Sequence, residues 1–146
     1  MKTPAILTMF LSLALCRTEL IYASNQFECT PLVELASIEK LPAAVSNLLG
    51  ANQRGLEGIA NRGNKFNATD IVDSELPMRR LGFGAISSNC VLVAIEHGGY
   101  GYNVELWSFE YRGLEWHAEK RGITFRIPKS VQELVSKELA PDFPIR

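Results

Sequence analysis

From Arg79 onward the sequence period changes to two, and three clusters of turn residues interrupt it. Ser88-Asn89, Gly98-Gly99-Tyr100-Gly101 and Arg112-Gly113 separate runs at 79–87, 90–97, 102–111 and 114–121, the last continuing toward Ile127. Runs of this length and pattern predict strands. Connections of two to four residues permit only antiparallel neighbours, so the four strands form a meander. The turns also set a register, in which His97 lies opposite Tyr102 and His117 opposite Ser108. One face then collects Leu81, Phe83, Ala85, Leu92, Ala94, Trp107, Phe109, Tyr111, Leu114 and Trp116. The other carries Val91, Val93, Ile95, Val104 and Leu106, with Glu110, Glu115, His117, Glu119 and Arg121 toward one edge. Gly82 and Gly84 leave that second face locally bare. Apolar residues on both faces call for helices on both sides or for a partner.

Helices are available on either flank. Thr30-Pro31 is an N-cap and N1 pair, followed by Leu32, Leu35 and Ile38 near helical spacing. Pro42 starts a second short helix with Val45, Leu48 and Leu49 on one side and Gly50 at its end. A weaker helix is expected around Leu56 to Ala60. Residues 63–78 carry turn chemistry (Asn64, Asn67, Asp70, Asp73, Ser74, Pro77) and read as a long loop. Ser130 and Glu133 form a capping box for a final helix over 130–140, which Pro141 stops. The expected fold is α+β: a four-stranded antiparallel meander over 79–127, packed by N-terminal helices within 30–62 and by the C-terminal helix.

The N-terminus carries an address. Lys2 precedes a largely apolar run from Pro4 to Cys16, too short for a stable span, and Ile21-Tyr22-Ala23 supplies a cleavage pattern. Residues 1–23 are read as a signal peptide and residues 24–146 as a single exported domain. A lesser alternative is lipid anchoring through Cys16, although Leu15 stands where a small residue is expected. Cleavage leaves 123 of the 146 residues, with net charge −2 and two cysteines, Cys29 and Cys90. In an oxidising compartment these predict a disulfide. A near-neutral chain without a basic cluster is not expected to bind nucleic acid.

The catalytic inventory is sparse. No nucleophile elbow, phosphate-binding loop, zinc-binding helix or dinucleotide fingerprint occurs. His97 is the one candidate general base. Strand alternation sends its neighbour Glu96 to the other face, and His117 lies roughly 20 Å away at ~3.3 Å per residue. Asp70 and Asp73 with Asn67 make a thin cation set, so no metal or cofactor is expected. Asn67-Ala68-Thr69 is a glycosylation sequon, relevant only in a eukaryotic secretory pathway. Arg79 and Arg80 place two cations beside the first strand. The glycine-rich hairpin presents Tyr100, and beside it Tyr102, as aromatic contact residues with little side-chain entropy to lose.

The segments Phe66-Asn67-Ala68-Thr69-Asp70, Leu76-Pro77-Met78-Arg79-Arg80 and Glu96-His97-Gly98-Gly99-Tyr100-Gly101-Tyr102 resemble those of small exported bacterial proteins of uncharacterised function. The resemblance covers roughly residues 40–107. It implies a bacterial periplasmic address and carries no activity, site or ligand.

These readings converge on an exported periplasmic protein that binds another protein, inhibitor- or immunity-like, through Tyr100, Tyr102, His97, Arg79 and Arg80. Two alternatives belong to other classes. One is a small hydrolase pairing His97 with a carboxylate, Asp70 or Asp73, from the 66–75 loop. The other is a carrier with an apolar cavity lined by Val93, Ile95, Val104 and Leu106.

Overall fold

The long strand Arg79–Ile86 organises the molecule, because it pairs along both of its sides. The computed structural model describes residues 29–136. In chain order these contain β1 (Val33–Glu34), α1 (Ala43–Leu49), β2 (Ile59–Ala60), β3 (Arg79–Ile86), β4 (Cys90–His97), β5 (Asn103–Arg112), β6 (Glu115–Thr124) and α2 (Val131–Leu134). The sheet runs β1-β3-β4-β5-β6. β2 joins it as a parallel neighbour of the start of β3, while β1 pairs antiparallel with its end.

The expected four-stranded meander packed by several helices is therefore corrected. The architecture is a six-stranded, mostly antiparallel sheet with one substantial helix, α1, and the short α2. The N-terminal stretch read as helical is largely extended. Local helical preference between Pro31 and Pro42 is weak, and the backbone there finds partners in the sheet instead, as in Leu35 N–H to Gly84 O at 2.9 Å. Leu35, Ile38, Val45 and Leu49 are nonetheless core residues. Leu48, expected beside Val45, faces out. Residues 55–57 form a single 3-10 turn, not a helix. Ser130 does cap α2, accepting from Glu133 N–H at 3.1 Å. The signal peptide, Cys16 and the end of the 130–140 helix lie outside the described residues.

Two apolar clusters sandwich the sheet. The larger joins Leu35, Ile38, Leu41, Val45, Leu49 and Ile59 to Leu81, Val91, Val93, Ile95 and Phe109. A Cβ on Gly84 would lie 2.9 Å from Leu35 Cδ2, so the missing side chain is what lets Leu35 sit directly on the sheet. On the opposite face Phe83, Ala94, Val104 and Leu106 pack against Ile127, Val131 and Leu134.

The expected faces are rearranged by two register details. His97 pairs with Asn103, not Tyr102, because the β4–β5 loop holds five residues. One extra loop residue turns every side chain of β5 over relative to β4. A bulge at Gly82 then puts Leu81 and Phe83 on opposite faces. His117 pairs with Glu110 in place of Ser108. Val93 and Ile95 consequently belong to one cluster and Val104 and Leu106 to the other, so the four do not line one cavity.

Cys29 and Cys90 form the disulfide, with Cα atoms 5.6 Å apart, and tie the described N-terminus to the start of β4. Among the described residues no helix is long and apolar enough to cross a membrane.

Candidate functional site

Two loops meet at one end of the sheet, where β3 begins, β4 ends and β5 begins. The first is the 66–77 connection. Asn67, buried at its base, organises it: its Nδ2 donates to the carbonyls of Asp73 (2.9 Å) and Leu76 (2.8 Å), and its Oδ1 accepts from Asp73 N–H (2.8 Å). Its own N–H donates to Pro77 O at 2.8 Å. Asp73 Oδ1 accepts from Glu75 N–H, closing a tighter turn inside the loop. A buried side-chain amide spent on three such bonds cannot also carry a glycan, so the Asn67 sequon is closed in the folded chain.

The second loop is the 98–102 hairpin. Gly98 N–H donates to Met78 O at 2.9 Å, and a Cβ on Gly98 would lie 1.6 Å from Asn67 O. Only glycine permits backbones to approach this closely. On the far side of the loop Tyr102 Oη donates to Glu96 Oε1 (3.0 Å), and Asn103 Nδ2 donates to Gly101 O (3.2 Å). The hairpin is thus held at both ends and along its flank. From this fixed backbone Tyr100 projects 97% exposed, and on the neighbouring loop Ile71 is 83% and Val72 50% exposed.

Of the remaining predicted residues, Arg79, Arg80 and His97 are half-buried, while Tyr102 is 37% exposed with its hydroxyl tied to Glu96. Arg80 makes a bidentate pair with buried Glu96, Nε to Oε2 at 2.7 Å and Nη2 to Oε1 at 2.9 Å, and lies 4.2 Å over the Phe66 ring. The bond to Glu96 raises the Arg80 pKa. Burial, followed by the bond to Glu96, pushes the Tyr102 phenol up to about 12. Arg79 donates to the carbonyls of Leu49 and Glu57, fastening α1 and the 55–57 turn to β3, and burial lowers its pKa. Both arginines are consumed by the fold.

His97 meets a carboxylate, but not one from the 66–75 loop. Its Nε2 lies 3.2 Å from Glu105 Oε2, while Glu96 sits on the other face as alternation requires. Glu105 also accepts from Trp107 Nε1 at 2.9 Å and pairs with Lys120. Burial lowers the His97 pKa against the pull of Glu105. Burial works against the Glu105 charge too, but Lys120, Trp107 and His97 outweigh it and hold that carboxyl below its ordinary value. Sequence reasoning missed Glu105 because the one-residue register difference placed it on the wrong face. Asp70 and Asp73 remain at the loop surface. Among the described residues no group of three His, Cys, Asp or Glu side chains is placed to hold a metal ion.

Compared with protein-family models, with curated proteins and with solved structures, the chain matches none of them.

Proposed function

We propose that this is an exported, non-enzymatic protein that recognises another protein through the end of the sheet where the 66–77 loop and the 98–102 hairpin meet. One observation carries the reading: Tyr100, Ile71 and Val72 are exposed apolar side chains on backbone pinned by Asn67, Gly98 and Tyr102. Apolar surface displayed on a pre-ordered frame costs little entropy to bury, which is the economy of a binding loop. Asp70, Asp73 and Glu75 flank it, so the complementary surface is apolar at its centre and cationic at its rim. The Cys29–Cys90 disulfide supports an oxidising compartment, and the bacterial periplasm fits it. A narrow projecting tip suits insertion into a cleft, as an inhibitor or immunity protein would require.

The His97–Glu105 contact favours acid–base chemistry less, because Glu105 is already engaged by Trp107 and Lys120. The test is affinity capture from periplasmic extract with wild type, Tyr100→Ala and Ile71→Ser. Loss of one specific protein with both variants, at unchanged thermal stability, is expected. Equal recovery by all three baits refutes the proposed surface.

A further inference from the structure

β6 pairs with β5 along one side only; α1 packs close to it, and no described strand pairs with its outer side. Such an edge is a template for another strand, and natural edges are usually blunted by charge. The charges on β6 follow a particular order: Glu115, Trp116, His117, Ala118, Glu119, Lys120, Arg121. We infer that this edge is self-complementary and that its occupant is β6 of a second copy of the chain, paired antiparallel about a two-fold axis at Ala118.

The argument is one of register. A two-fold at residue 118 sets opposite each other those residues whose positions are symmetric about it. Glu115 then faces Arg121 of the second copy, and His117 faces Glu119. Trp116 faces Lys120, an aromatic ring against an ammonium. Ala118 meets Ala118, so the smallest side chain of the set lies where the two copies come closest. Each pair also shares a sheet face. Glu119 pairs across β5 with Ser108 and His117 with Glu110, while Arg121 bonds Ser108 Oγ at 2.7 Å, placing them on one side. Trp116 and Lys120 lie on the other, with Tyr111 and Trp107. No like charges are opposed in this register. Moving the axis to Glu119 would set Glu119 against itself and Lys120 against Ala118, so the complementarity belongs to one alignment. His117, Ala118, Glu119 and Lys120 are all exposed, as an unoccupied edge requires.

The result would be a continuous twelve-stranded sheet with the two Tyr100 tips free. A contact of seven residues per copy is small, so the association is expected at the weak end for specific interfaces, roughly micromolar or weaker.

The test is sedimentation velocity of the whole disulfide-bonded protein up to about 1 mM, with Ala118→Glu and Ala118→Lys variants. Position 118 is exposed, and circular dichroism and thermal melts check that both variants fold. Wild type is expected to dimerise. Each variant alone sets like charges against each other on the axis and is expected to lose association at least ~10-fold. An equimolar mixture is expected to recover it as a heterodimer. A wild type that stays monomeric across this range overturns the inference. So do variants that each dimerise like wild type, or a mixture that fails to recover.

Discussion

Replacing Gly98 by alanine adds one methyl group where two backbones cross. The new Cβ would stand 1.6 Å from Asn67 O, 2.6 Å from its carbonyl carbon and 2.9 Å from Ala68 Cα. All three neighbours are main chain, so no side chain can swing aside. Restoring ordinary contact moves one backbone by roughly 2 Å. That displacement stretches Gly98 N–H to Met78 O and the bonds through which Asn67 holds its loop. Two or three disturbed hydrogen bonds at about 1 kcal/mol each, with ordinary overpacking, give a destabilisation of about 3 kcal/mol. For a domain of this size that is roughly 10 °C in Tm. Gly101→Ala is the matched control, because a Cβ there meets nothing within 4 Å. It is expected within ±0.5 kcal/mol of wild type, about the usual range for surface changes. Urea denaturation followed by tryptophan fluorescence, disulfide intact, measures both. Amide exchange at Asp73, whose N–H reports the Asn67 bond, should accelerate in Gly98→Ala alone. If Gly98→Ala matches Gly101→Ala in stability, the two loops do not form one frame and the proposed site loses its rigidity.

Three further outcomes follow from local physics. Reducing Cys29–Cys90 reopens a loop of 61 residues and should cost on the order of 4 kcal/mol, read as a shift in urea midpoint with and without reductant. Leu114 is 85% exposed yet holds φ at 76°, following Gly113 at 58° in the tight turn. Leu114→Gly should therefore stabilise by about 0.5–1 kcal/mol in a thermal melt, and a destabilised variant would mean that the exposed side chain does pack. His97 should titrate below its ordinary value near 6.5, as followed by NMR of the ring. Because the folded pKa is the lower one, this histidine's contribution is fully present above 6.5 and is lost as pH falls through the folded value. Glu105→Gln removes a charge that raises His97, so the midpoint should move further to the acid side; movement the other way contradicts the contact.

How much of this was legible depends on what each residue does locally. The four long strands begin and end within about three residues of their expected limits, because glycine pairs and Ser-Asn mark turns through backbone sterics that tertiary context rarely overrides. Cys29 and Cys90 pair as expected. β1 and β2 were invisible, since a two-residue strand has no period to detect. Leu35 and Ile38 have a spacing that fits an extended chain with a 3-10 turn as well as it fits a helix, whereas Val45 and Leu49 lie in α1, the short helix expected after Pro42 and ended by Gly50. Tyr100 could be seen as a tip residue from its glycine neighbours. Ile71 and Val72 could not be joined to it, because only the buried Asn67 and its contact with Gly98 bring the loops together.

The misplaced face has a physical lesson of its own. β4 is apolar at every position from Cys90 to Ile95, so burial alone does not choose between its two registers against β5. Discrimination must come from polar groups, and these cluster where β4 leaves its apolar run. Glu96 meets Arg80 and Tyr102 on one face, and His97 meets Glu105 on the other. A slip of one residue would pull Glu105 away from His97 and turn Trp107 out of the larger cluster. On this argument the buried Arg80–Glu96 pair specifies register more than it stabilises, since replacing such pairs with apolar residues is often neutral. Arg80→Met alone, which strands Glu96, should cost about 3–5 kcal/mol. The double variant Arg80→Met/Glu96→Leu should return to within about 1 kcal/mol of wild type, but with exchange-broadened amide resonances along β4 and β5. A double variant with one sharp set of resonances and an unchanged His97–Asn103 pairing would show that the register is held by something else.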